Sequence, residues 1–242
     1  MSEVLDVIAV GAHPDDVEVG CGGTIAALVE QGLRVGIIDL TDGEPTPNSP
    51  SPDVRVAESH AAAKVLGCSR TIMQFDNRRL FDGFDERVAL AKLFRIHKPK
   101  IVLGLLGDTP AASPDHYQAA MITNAAVFYS RLCKWDEYFD GLPTHRITQQ
   151  SYYSLLHSEF SPNQSNQIVV DIGHTLHKKM ESLKCYATQF PPEKQYVFER
   201  AEAIARSVGS SAGFEAGEVI TSVRPLGTKN LAVALLPDWP EC

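Results

Sequence analysis

The sequence predicts an α/β protein on a mostly parallel sheet flanked by helices, and two observations predict it. Short strand-like runs recur at residues 4–10, 34–40, 69–75 and 100–104, the first of them rich in β-branched residues, as expected of a strand buried on both faces. Longer stretches with helical apolar spacing separate them, and this alternation is the pattern of right-handed strand–helix–strand crossovers.

Residues 4–10 form the first strand, and Gly11 stops it. Residues 20–31 carry Ile25, Leu28 and Val29 on one helical face, with Gly32 placed to end the helix. A second strand at 34–40 runs into Thr41-Asp42-Gly43-Glu44 and a Pro/Ser-rich loop reaching Asp53. A loop of that length in a compact protein is usually functional. Arg55, Glu58, Ala62, Val65 and Leu66 mark a helix closing at Gly67, and 69–75 is the third strand. A helix at 86–97 is ended by Pro99, and the fourth strand follows at 100–104. Strand order 3-2-1-4, a Rossmann-like sheet, would set the ends of strands one and four side by side at the topological switch point, where such sheets bind ligands.

The loop from Leu106 to His116 leads into an apolar helix over 117–133. Strands are then expected at 146–157 and 167–172, separated by the turn-rich Ser161-Pro162-Asn163. Helices over 174–190 and 193–211 complete a C-terminal strand and helix extension, and the Gly/Ala content of 200–218 suits close helix packing. With no repeat, low-complexity tract or linker, residues 1–242 read as a single domain.

A net charge of −8 argues against nucleic acid or an anionic membrane as partner. No apolar run reaches the roughly 18 residues needed to cross a bilayer, and the charged start is not a signal peptide, so a cytoplasmic protein is expected. Five cysteines without a C-x-x-C pair suggest neither a disulfide framework nor a thiolate metal site. Cys21 stands out, because it lies near a predicted helix start, where a thiolate is favoured.

The chemistry concentrates at Gly11-Ala12-His13-Pro14-Asp15-Asp16, just past the first strand. An imidazole and one carboxylate suit a divalent metal, and a second carboxylate can accept a proton. Spacing alone leaves open which aspartate does which, and either one could simply cap the next helix. His116, a hundred residues on, arrives at the other strand end that the sheet order brings near. His174 and His177 stand three apart beside Lys178 and Lys179 and read as a solvated face.

With Ala12-His13-Pro14-Asp15-Asp16-Val17-Glu18 and Pro114-Asp115-His116, the chain resembles the LmbE-like (PIG-L) family of metal-dependent deacetylases. The likeness extends to Thr41-Asp42-Gly43-Glu44, Arg55 with Glu58, Tyr186-Ala187-Thr188-Gln189-Phe190 and Arg200-Ala201-Glu202-Ala203. It is strongest to the bacillithiol-biosynthesis branch, which deacetylates N-acetylglucosaminyl malate. The resemblance implies a hydrolase with Zn2+ held by His13, Asp16 and His116, Asp15 as general base, Arg55 lining the substrate site, and a trimer or hexamer. One departure is Ser113, which stands where relatives carry a histidine that assists the reaction. It keeps a non-catalytic or weakly active sugar- or metal-binding relative as the alternative. Two other readings fare worse. A non-haem iron oxygenase usually sits on a β-barrel, and a nucleotide-binding dehydrogenase lacks its G-x-G-x-x-G.

Overall fold

The computed structural model describes residues 3–107, 109, 112–155 and 166–229. The turn expected at Ser161-Pro162-Asn163, the loop residues Asp108, Pro110 and Ala111, the last residues of the expected 146–157 strand, and Cys242 lie outside them. Seven strands form one sheet: β1 (Val7–Gly11), β2 (Val35–Thr41), β3 (Ser69–Phe75), β4 (Ile101–Leu105), β5 (Gln149–Tyr153), β6 (Gln167–Asp171) and β7 (Gly217–Ser222). Their order is β3-β2-β1-β4-β5-β7-β6, which contains the expected 3-2-1-4. Strands β1 to β5 run parallel, and β7 pairs antiparallel with both β5 and β6.

Every residue of β1 and β2 is buried, which explains why they are largely apolar, since helices cover both faces of a parallel sheet. Helices α1 (Asp16–Glu30) and α2 (Pro52–Leu66) pack with α6 (Leu176–Lys184), whereas α3 (Phe84–His97) packs on α4 (Asp115–Tyr129) and the short α5 (Asp136–Phe139). α7 (Tyr196–Ser211) covers β7. Each fully buried aliphatic side chain along β1 and β2, such as Ile8, Ile37 or Leu40, contributes about 1.5–3 kcal/mol through removal from water. Gly67, at φ 78°, ends α2 in the left-handed conformation that glycine adopts freely.

The C-terminal extension joins the same sheet, where β7 pairs antiparallel with both β5 and β6. In the Gly/Ala-rich 200–218 segment Gly209 lets α7 approach Ala216 and Gly217 at backbone distance, the close packing expected of it, and the segment also contains the start of β7. One expectation is corrected. The helix expected over 174–190 is α6 alone, ending at Lys184, and 186–190 turns towards α2. Among the described residues no helix is long and apolar enough to cross a membrane.

Candidate metal centre

The centre lies at the carboxyl ends of β1 and β4, the neighbours at which the winding of the sheet reverses. His13, Asp16 and His116 each offer a ligand atom, and these atoms lie within 4.8 Å of one another. Asp16 Oδ2 accepts the backbone N–H of Ala12 at 2.9 Å and of His13 at 3.0 Å, so the loop after β1 folds around this one carboxylate. Its other oxygen, Oδ1, faces His116 Nε2 at 3.3 Å, and His13 Nδ1 lies 3.7 Å from Oδ2. Burial works against the Asp16 carboxylate, but the hydrogen bond from His116 and the field of His13 hold its pKa down to about 2.

Each imidazole is oriented from behind. His13 Nε2 meets Asp115 Oδ2 at 3.3 Å, which leaves Nδ1 towards Asp16. Asp115 Oδ2 also accepts the Arg78 backbone N–H at 2.6 Å. His116 Nδ1 is 2.7 Å from Thr109 Oγ1, and its Nε2 points into the centre. With a metal in place the outer nitrogens would carry the protons and each inner one would offer its lone pair, the arrangement that metal-binding histidines require. Burial lowers the His13 pKa, yet the bond to Asp115 and the nearby aspartates outweigh it and raise the value above that of an ordinary imidazole.

Asp15 stands apart from Asp16 although it adjoins it. Its backbone is left-handed at φ 105°, a conformation that costs a non-glycine residue roughly 1–3 kcal/mol and persists where function needs it. The turn aims its carboxylate at Arg55, with Oδ2 3.2 Å from Nη2. Burial pushes the Asp15 carboxyl up to about 7, with the Arg55 guanidinium opposing and Asp16 adding to the rise.

Arg55 is itself buried. It donates to the Pro14 carbonyl and to Gln189 Oε1, and it lies over the Tyr186 ring. Glu58, one turn along α2, accepts the backbone N–H and hydroxyl of Thr188. Arg55 and Glu58 thus seat the 186–190 segment against the loop after β1. An open pocket of about 440 Å3 brings together His13, Asp15, Asp16, Arg55, Ser113 and His116, with Asn77, Arg78, Gln189 and Phe190 on its walls. Ser113 is therefore in the pocket, and its Oγ accepts the Asp115 backbone N–H at 3.3 Å, just before α4 begins.

Other sequence candidates fall elsewhere. His174 pairs with Glu30 on the surface, in keeping with the solvated face expected of it. Cys21 is fully buried, and burial raises its thiol well above the ordinary value, so it packs as a small hydrophobe rather than as the thiolate that a helix start would favour. Asp115 and Thr109 were missed as orienting groups. An acid next to a candidate ligand was visible, but the direction of its side chain was not. Also missed was the buried Arg70, which binds Asp39 through two nitrogens and Glu18 through the third.

Three donors, two neutral nitrogens and one carboxylate, fit a zinc-type ion and leave a position open on the pocket side. Residues 8–127 match the family model described as PIG-L, GlcNAc-PI de-N-acetylase. The chain is 27% identical over 233 residues to the diacetylchitobiose deacetylase of Thermococcus kodakarensis, covering 92% of this chain and 84% of that one. Among solved structures it is similar to the conserved protein TT1542 of Thermus thermophilus, with TM-score 0.81 and 29% identity over 93% of this chain and 97% of that one. The fold is also that of GalB, the 4-carboxy-2-hydroxymuconate hydratase of Pseudomonas putida KT2440, with TM-score 0.77 and 23% identity over 96% of this chain and all of that one (100%).

Proposed function

We infer that the chain belongs to the PIG-L family and acts as a metal-dependent N-deacetylase, hydrolysing the acetamide of an N-acetylglucosamine conjugate. The observation that carries this reading is the convergence of His13, Asp16 and His116 beside a differently oriented second carboxylate, Asp15. A bound zinc ion would supply Lewis acidity towards the amide carbonyl and would lower the pKa of water. His13, Asp16 and His116 would hold that ion. Asp15, turned away from the ligand set and held by Arg55, takes the proton of the attacking water. It then returns that proton to the departing sugar amine. Arg55 keeps the Asp15 carboxylate aimed and opposes the rise that burial gives its pKa, and Thr109 and Asp115 keep both imidazoles in the ligating tautomer.

The pocket suits a sugar, with polar walls and one aromatic face at Phe190. Arg55 lines it too, but Asp15, Pro14 and Gln189 already engage its guanidinium. At the mouth, Arg78 uses one nitrogen on the Pro45 carbonyl and has no carboxylate partner among the described residues. That free cation favours an anionic aglycone, which is why N-acetylglucosaminyl malate is the first substrate to try. A second reading, suggested by the fold shared with a hydratase, is addition of the activated water to a carbon–carbon double bond. Retention of the strained Asp15 backbone speaks against a merely binding role.

The decisive experiment incubates zinc-loaded protein with N-acetylglucosaminyl malate and with a neutral methyl N-acetylglucosaminide, and measures free amine. Amine release, faster from the malate conjugate, is the expected result. No release from either compound, with hydration of an unsaturated carboxylic acid instead, would favour the hydratase reading.

A further inference from the structure

Helix α1 is broken. Cys21, at φ −148° and ψ 24°, leaves the helical conformation, so a first segment from Asp16 is followed by a second carrying Gly23 and Thr24. A buried ion pair spans the break, Lys179 of α6 with Glu218 of β7, at 2.6 Å. Lys179 Nζ donates to the Glu18 carbonyl at 3.1 Å and the Val19 carbonyl at 2.7 Å. An unbroken helix would give those two acceptors to the N–H groups of Gly22 and Gly23. Glu218 takes the other side, accepting the N–H of Gly23 at 3.1 Å, and the N–H and hydroxyl of Thr24, both at 2.7 Å.

The cation therefore closes the carboxyl end of the first segment and the anion closes the amino end of the second, each where the helix dipole favours its sign. Buried helix ends without partners would be costly, so the pair determines where the first segment stops and which way it points. That segment begins with Asp16, only three residues before the Val19 carbonyl that Lys179 holds, or about 4.5 Å along a helix axis. Catalytic and ligand groups tolerate only ~0.5 Å of misplacement.

We propose that Lys179 and Glu218 are positioning residues that clamp the broken helix and thereby place the Asp16 carboxylate for metal binding. The proposal rests on the metal-centre reading above. Glu18 continues the same brace, since its carboxylate takes Arg70 and the Tyr186 hydroxyl.

The test measures zinc affinity by chelator competition, with a urea midpoint for each protein, on the full chain carrying Lys179→Met, Glu218→Gln or Arg95→Met. Arg95 is the control. It is equally buried and closes carbonyls of Ser130, Leu132 and Leu142 away from α1, so its loss lowers stability without touching the clamp. The zinc dissociation constant should rise about 10-fold or more for Lys179→Met, as for other residues that orient ligands from behind, and by a smaller factor for Glu218→Gln. It should stay at the parent value for Arg95→Met. Parent-like affinity in a folded Lys179→Met protein overturns the proposal. So does a loss in Arg95→Met matching its loss of stability, because affinity would then merely follow stability. If Lys179→Met does not fold, unchanged affinity in Glu218→Gln overturns it alone. A parent that binds no zinc removes the metal reading and the proposal together, whereas parent binding with indifferent variants removes only the proposal.

Discussion

The loops after β1 and β4 both bring candidate ligands to one centre, yet they are held in different ways. The first places His13, Asp15 and Asp16 within four positions and is tied by its own backbone, through two N–H groups donated to Asp16. The second supplies only His116 on the opening turn of α4, and that ring depends on a side-chain bond to Thr109. The loops are also crossed, because Asp115 from the second orients His13 of the first. The carboxylate is thus fixed by the backbone of its own loop, whereas both imidazoles are oriented by neighbours that are not ligands.

The largest effects should come from the ligands themselves and ignore the loop of origin. His116→Ala and Asp16→Ala should each weaken zinc binding by more than the roughly 100-fold reached by changes behind the ligands. Equilibrium dialysis would measure it, and parent-like binding by His116→Ala would remove the second loop from the centre.

Asp15→Asn sharpens the contrast inside the first loop. The amide keeps the shape but cannot take a proton, so turnover should fall about 100- to 10,000-fold while bound zinc is unchanged. Full turnover in zinc-loaded Asp15→Asn would remove the general-base role.

Asp115→Asn and Thr109→Val probe the crossed support. Each should cost about 10- to 100-fold in metal affinity, and Asp115→Asn should act through His13, whose imidazole would lose the partner raising its pKa. An NMR titration of the His13 ring in the zinc-free protein reports this directly. With the Asp115 carboxylate gone, the ring should take up its proton at a lower pH, so the midpoint should move down in Asp115→Asn. A midpoint that does not move would separate Asp115 from His13.

The smallest effect is expected at Ser113. Its hydroxyl accepts one backbone N–H at the entry to α4, so Ser113→Ala should cost about 1 kcal/mol of stability, read as a small drop in the urea midpoint, with zinc affinity at the parent level. A loss of zinc as large as that of Thr109→Val would instead give Ser113 a part in the centre.

Local pattern was enough for much of this molecule. The buried runs of β1, β2 and β4, the closing Gly67 and the strand span at Ser69–Phe75 follow from burial periodicity and backbone conformation, which act over a few residues and leave their mark in composition. The stretch from His13 to Asp16 was conspicuous for the same reason, as a dense polar cluster directly after an apolar strand. The sequence by itself thus determined the parallel core, the place of the first loop and its candidate metal chemistry. Only the tertiary structure decided which aspartate faces the histidines, since that turns on a left-handed backbone at Asp15 and on N–H groups folded around Asp16. Only it inserted β7 between β5 and β6, and so brought Glu218 to Lys179 across the break in α1. Strand pairing and the matching of buried charges join residues as much as 195 positions apart, and over such separations a residue's neighbours in the chain say nothing about its partners in space.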